Sequence, residues 1–227
     1  MLSIDIEQGR VVYEESCKVC HGKAGEGDGP AGYYNGAYSG PRPRNFTIGN
    51  FTFRSTPTGE LPLDDDMYRV VRRGIPGYMP SFAGLEDAAI RNVVAYLKMF
   101  IPDYPVQGAV AMTLPRMNIP STSTSLKKGR AVYMRFGCDS CHGDMGDGEG
   151  KVSIDGGLRD SSGLPIRAAD LTNRAGLKYG RTAEDIIRTL FTGLDGTPMP
   201  SYASQFTTQL EDARHLANYI HSLSSGH

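Results

Sequence analysis

Cys17-Lys18-Val19-Cys20-His21 and Cys138-Asp139-Ser140-Cys141-His142 hold all four cysteines of this 227-residue chain, each pair followed at once by a histidine. Cys-x-x-Cys-His is the attachment signature of a c-type heme: two thiols add across the vinyl groups of the porphyrin, and the adjacent imidazole reaches the iron. Residues three apart on a helical turn share a face, so both sulfurs of a pair can meet one porphyrin edge. A structural zinc site calls instead for two Cys-x-x-Cys pairs about 15 to 20 residues apart, or for histidines at finger spacing; here 117 residues separate Cys20 from Cys138. A thioredoxin-like pair needs a βαβ context that neither flank supplies, and two disulfides leave both histidines without a role. The expected cofactors are two covalently attached heme c groups, held by Cys17, Cys20 and His21 and by Cys138, Cys141 and His142.

Alignment of the two motifs exposes an internal repeat. Gly9-Arg10-Val11-Val12-Tyr13 precedes the first motif and Gly129-Arg130-Ala131-Val132-Tyr133 the second, and Gly77-Tyr78-Met79-Pro80-Ser81-Phe82 is echoed by Thr197-Pro198-Met199-Pro200-Ser201-Tyr202. His21 precedes Met79 by 58 residues and His142 precedes Met199 by 57, although the intervening sequences differ. Methionine is ordinarily a gap-filler in a core, and that reading is kept for the others among the nine. Met79 and Met199 differ because each recurs at a fixed distance from a heme motif and stands before a proline that stiffens its loop. His/Met coordination is a standard cytochrome c arrangement, so the expected iron ligands are His21 with Met79 and His142 with Met199.

Composition and charge narrow the remaining classes. Only 39% of residues are apolar, with 28 Gly, 14 Pro and no Trp, a lean supply for a chain that must build its core from side chains alone. The 24 basic and 25 acidic residues nearly cancel, which excludes a nucleic-acid footprint or an acidic tail. Residues 1–105 carry a net −2 and residues 106–227 a net +1. No stretch approaches the ~20 apolar residues of a membrane helix, and Met1 to Asp5 show neither the basic start nor the apolar core of a signal peptide.

Periodicity predicts helices and no sustained strand. Ile90, Val93, Val94, Leu97 and Ile101 recur at helical spacing and stop at Pro102, and Ala213, Leu216, Ala217, Ile220 and Leu223 repeat the pattern behind an expected capping box, Thr208-x-x-Glu211. Met67, Val70 and Val71 run to Gly74, and Ile186, Ile187, Leu190 and Phe191 to Gly193, each glycine read as a left-handed cap. Gly- and Pro-rich connections over 22–59 and 143–180 are long for a compact domain unless they serve a function, and wrapping a heme is one. Pro102, Pro105, Pro115 and Pro120 with Ser121 to Ser125 mark a connector. The expected division is a first domain over 1–105, a Pro/Ser/Thr-rich linker over 106–125 and a second domain over 126–227.

With these residues in place, each half resembles a class I cytochrome c domain, and the whole resembles the periplasmic diheme cytochromes built from two such domains. The likeness covers nearly all of the chain outside the linker. It implies an all-α fold of two tandem domains, each a few helices wrapped around a covalently bound heme, with the first and last helices crossing at a glycine beside aromatics: Gly9 with Tyr13 and Tyr96, and Gly129 with Tyr133 and Tyr219. It further implies a proline carbonyl that orients the ligand histidine, for which Pro30 fits in the first half; Pro165 is a guess in the second. Arg42, Arg44, Arg54, Arg72 and Arg73 are candidate partners of heme propionates, with surface solvation the default for most of them. His215, His221 and His227 are read as solvent-exposed rather than as ligands, and Gly25-Glu26-Gly27-Asp28-Gly29 as a heme-side loop, since no nucleotide-binding context follows it.

Two six-coordinate irons leave no open position for a substrate, so no catalytic residue is expected and the function is electron transfer, either as a free carrier or as the electron-transfer subunit of a respiratory complex. The alternative is a diheme peroxidase-like enzyme, which needs one iron able to open its sixth site; a docking subunit that holds an enzyme at a membrane is a third reading. Partners are redox donor and acceptor proteins, with a membrane-associated respiratory complex among them and no nucleic acid. The resemblance implies a periplasmic or otherwise extracytoplasmic location, with the export signal removed.

Overall fold

The computed structural model describes residues 3–33, 40–101, 104 and 110–224; Pro102, Pro105 and His227 lie outside them. The described residues form helices joined by long loops, with isolated bridges at Ile75–Met79 and Arg159–Pro165 and no strand. The chain divides into two compact units, Met1–Ala111 and Met112–His227. This is the all-α, two-lobe architecture that the repeat predicts.

In the first lobe α1 (Ile6–Val12) starts at Asp5, whose carboxylate accepts from the Gln8 amide at 3.0 Å, the usual way to satisfy an orphan N–H of a first turn. A wide turn over Tyr13–Cys17, closed by the Lys18 amide on the Tyr13 carbonyl, carries the chain into α2 (Lys18–His21). The second lobe repeats it: α5 (Ser123–Arg135) leads to α6 (Asp139–His142), and the Cys138 amide donates to the Tyr133 carbonyl at 3.1 Å. Such i→i−5 turns concentrate at functional sites, and here each one rotates the cysteine motif out of the preceding helix. Thr122 caps α5 by accepting from the Ser125 amide, so Ser123 to Ser125 belong to the first helical turn.

The last helix of each lobe closes over the first. In the first lobe α3 (Asp64–Arg73) and α1 both pack on α4 (Asp87–Leu97), and in the second α5 packs on α10 (Leu210–Leu223), which also meets α8 (Ala183–Thr192) and α9 (Ala203–Phe206). Glycine sets the approach. A Cβ on Gly9 would lie 2.1 Å from the Asn92 carbonyl oxygen, and one on Gly129 2.1 Å from that of His215. Only a residue without a side chain allows this backbone-to-backbone contact, which lets Ile90, Val93, Leu216 and Ala217 become fully buried. Burial stabilises by about 1.5–3 kcal/mol for each large aliphatic side chain. Tyr13 and Tyr133 sit beside the crossings, their rings 5.4 and 5.5 Å from those of Tyr96 and Tyr219.

Three local expectations give way. The capping box of the second lobe is on α8, where Thr182 and Asp185 exchange hydrogen bonds with each other's backbone; α10 begins at Leu210 with no side-chain cap, because Thr208 lies too early to reach its first turn. His215 is buried, with Nδ1 2.9 Å from Ser125 Oγ, and Asn218 Nδ2 donates to the same hydroxyl. Satisfied polar groups tolerate burial, and the close approach at Gly129 leaves no room for water. Arg54 is likewise fully buried, donating from Nε to the Pro57 carbonyl and from Nη1 to that of Phe51, so solvation is not its role.

Candidate functional site

Within each lobe the cysteine pair lies at the end of the first helical segment. Cys17, Cys20, Cys138 and Cys141 are half-buried free thiols, and Cys17 and Cys138 pack against the apolar cores. Burial pushes the Cys17 and Cys138 thiols up to about 11, with Cys20 adding to the shift of the first and Asp139 to that of the second. Raised in this way, the two thiols are unlike the low-pKa thiolates that ligate metals. Among the described residues no cluster of three or more His, Cys, Asp or Glu side chains is placed to hold a metal ion.

Both histidines are aimed through their outer nitrogen. His21 Nδ1 lies 3.1 Å from the Arg44 carbonyl and His142 Nδ1 2.9 Å from that of Ala169. A carbonyl only accepts, so Nδ1 carries the proton and Nε2 keeps its lone pair for a metal. Burial, the larger influence, lowers the proton affinity of both rings, which favours the neutral, ligating form. The orienting carbonyls are therefore those of Arg44 and Ala169, not of Pro30 or Pro165. Pro30 opens a short 3-10 turn, and Pro165 pairs with Arg159 in a turn beyond α7 (Lys151–Ile154). In the first lobe the His21 ring also stacks on Phe46, centroids 4.7 Å apart at 20°.

The motif loops are fastened by the same bonds in both halves. Tyr13 Oη donates to the Gly22 carbonyl and Tyr133 Oη to that of Gly143, both at 2.7 Å. Gly27 and Gly148 amides donate to the His21 and His142 carbonyls at 2.9 and 2.8 Å, and Gly29 and Gly150 to those of Cys20 and Cys141 at 3.1 and 3.2 Å.

Met79 and Met199 lie half-buried against the two cores, each on a loop pinned to the end of the preceding helix. The Ile75 amide donates to the Met79 carbonyl at 2.8 Å and the Leu194 amide to that of Met199 at 3.0 Å. Ser81 Oγ donates to the Arg72 carbonyl and Ser201 Oγ to that of Phe191, while the Phe82 and Tyr202 amides reach the carbonyls of Val71 and Leu190. Gly74 and Gly193 make this possible. Their φ of 68° and 63° is positive but their ψ lies near −172° and −171°, an extended rather than left-handed helical cap, open almost only to glycine. A Cβ there would also meet the Met-Pro loop, 2.5 Å from the Met79 carbonyl at Gly74 and 2.6 Å from the Ser201 amide at Gly193.

Two half-buried thiols, one neutral imidazole with a free Nε2 and a stiffened methionine loop recur in each lobe, a donor set that fits a c-type heme. The sequence names the candidate donors but not their supports. A backbone carbonyl leaves no residue-type signature, and Gly74 and Gly193 were read only as helix stops.

The comparisons with known proteins point the same way. The family model described as cytochrome c oxidase, cbb3-type, subunit III matches residues 5–97 and again 124–220. The cbb3-type cytochrome c oxidase subunit CcoP of Azospirillum brasilense is 25% identical over 234 residues, an alignment that covers 100% of this chain and 64% of that relative. A chain of the reducing HAO-like protein complex of Kuenenia stuttgartiensis is 32% identical, with a TM-score of 0.87 and 98% of each chain covered.

Proposed function

Because the chain belongs to the cytochrome c oxidase, cbb3-type, subunit III family and is a diheme cytochrome c, we propose that it carries electrons between redox proteins as a subunit of a respiratory oxidoreductase complex or as a free carrier, without catalysing a reaction of its own. One observation carries this reading: the Met-Pro loop is pinned by equivalent hydrogen bonds in both lobes. A bound c-type heme supplies one-electron chemistry at its iron. The chain would supply Cys17, Cys20, Cys138 and Cys141 for attachment, and His21 with Met79 and His142 with Met199 to hold the irons.

Methionine sulfur favours ferrous iron and raises the potential. Loops held at both ends limit rearrangement between oxidation states. A peroxidase needs one sixth position that opens, and nothing distinguishes the two methionine loops in that respect. CcoP is by name an oxidase subunit and the Kuenenia chain comes from a HAO-like complex; a partner of that kind, reached through small surfaces typical of redox encounters, suits this chain. Among the described residues no helix is long and apolar enough to cross a membrane. The family's extracytoplasmic heme attachment supports a periplasmic location.

The test is the absorption and EPR spectrum of the ferric protein, with carbon monoxide added after reduction. Two low-spin hemes with a methionine-to-iron charge-transfer band and no uptake of carbon monoxide support the proposal. A high-spin heme, or one that binds carbon monoxide, overturns it in favour of an enzyme.

A further inference from the structure

The two motif loops share their backbone hydrogen bonds but differ in charge. Hydrogen bonds from Gly27 to His21 and Gly29 to Cys20 have their counterparts from Gly148 to His142 and Gly150 to Cys141, so residues 17–28 and 138–149 correspond one to one. At matched positions Lys18 is replaced by Asp139, Lys23 by Asp144, Glu26 by Asp147 and Asp28 by Glu149. The first loop is neutral apart from its histidine and the second carries four negative charges.

Asp139 is the residue best placed to act. It lies between the two attachment cysteines, and its Oδ1 is buried with no hydrogen-bond partner. Its charge is felt at the Cys138 sulfur, where it adds to the effect of burial; Lys18 exerts no corresponding effect at Cys17. A carboxylate beside the porphyrin edge stabilises the ferric iron, which carries one more positive charge than the ferrous. The net charges of the whole halves, −2 and +1, favour the opposite order. Those charges are spread over the surface and screened beyond about 8–10 Å at moderate salt, whereas the half-buried Asp139, with its Oδ1 out of contact with solvent, is screened less.

Resting on the diheme electron-transfer reading, we propose that Asp139 holds the second heme at a lower potential than the first, so that the first electron taken up resides on the first lobe. Electron count is conserved: one electron enters, the first iron goes from ferric to ferrous, and the second stays ferric until a further electron arrives. No proton is required.

A spectroelectrochemical titration of the intact diheme protein tests this, comparing wild type with Asp139→Asn, Lys18→Gln, Asp144→Asn and Met79→Ala. Asp139→Asn raises only the lower of the two waves, by enough to change the reduced-to-oxidised ratio of that heme several-fold at fixed ambient potential. Lys18→Gln leaves both waves in place, since Lys18 has no effect at Cys17, and Met79→Ala, which lowers only the first heme, assigns the waves to the lobes. The Asp144→Asn shift is smaller and fades in high salt, while the Asp139→Asn shift persists. An Asp139→Asn variant that leaves both waves in place, or raises the upper one, overturns the proposal. Low-spin spectra without carbon monoxide binding in every charge variant separate that result from failure of the ligand assignment, which appears in the wild type itself.

Discussion

Gly129→Ala tests the close crossing of α5 and α10 directly. The added methyl group would sit 2.1 Å from the His215 carbonyl oxygen and 2.6 Å from Tyr219 Cβ, well inside contact distance, and neither backbone nor Cβ can swing away as a side-chain tip would. The helices must part by about 1 Å. Overpacking of this kind costs about 1–3 kcal/mol. Parting also stretches the buried bonds of Ser125 Oγ to His215 Nδ1 at 2.9 Å and to Asn218 Nδ2 at 3.0 Å, each worth about 1 kcal/mol. Alanine returns about 1 kcal/mol through its better helix propensity, leaving a net loss of about 2–4 kcal/mol. In urea, with a slope of about 2 kcal/mol per molar, the second lobe's unfolding midpoint falls by about 1–2 M. Gly84→Ala is the control, since its Cβ would meet nothing within 4 Å and its φ is not positive. Equal midpoints for the two variants would refute the reasoning, as would a change in slope with no change in midpoint.

Three further outcomes follow from the site and its supports. Met79→Ala or Met199→Ala opens the sixth position of one heme, which then binds carbon monoxide when ferrous and falls in potential while the other heme keeps its values; a redox titration identical to wild type removes that methionine from the ligand set. Cys20→Ala leaves the first heme with a single attachment sulfur, and a denaturing mass spectrum that still shows two doubly attached hemes contradicts the site. Burial acts to raise the Asp185 carboxyl, but hydrogen bonds from Arg188 and from the Thr182 backbone outweigh it and hold the group below its ordinary value. A depressed carboxyl contributes stability above about pH 4, lost as the pH falls through its folded value; Asp185→Asn therefore flattens the acid limb of the second lobe's stability curve, read from urea midpoints between pH 6 and pH 3.

The sequence displays this architecture unusually openly where the chemistry depends on residue type. The two Cys-x-x-Cys-His strings identify both hemes, and Gly9 and Gly129 mark the crossings because only one residue type permits that contact. What depends on backbone is hidden. Arg44 and Ala169 orient the ligand histidines through carbonyls that any residue could offer, so the search for a proline carbonyl settled on Pro30 and Pro165. His215 looked polar and exposed because its helix face is judged from one chain segment, whereas its partner Ser125 lies 90 residues away. Arg54 belongs to the same class: its carbonyl acceptors at Phe51 and Pro57 come from the fold of a loop without periodicity. Thr208-x-x-Glu211 failed for a simpler reason, since the N-cap position falls on Gln209 and a capping signature one residue early caps nothing.

The crossing of first and last helices also sets an order of events. Gly9 meets Asn92 and Gly129 meets His215, contacts 83 and 86 residues apart in the chain, while each pair of attachment cysteines lies within about a dozen residues of its glycine. A chain delivered from its N-terminus presents Cys17 and Cys20 long before α4 exists to cover them. Closing so long a loop carries an entropic cost that only the finished crossing repays. Each lobe can thus close its crossing only after its last helix has been made, long after its cysteines.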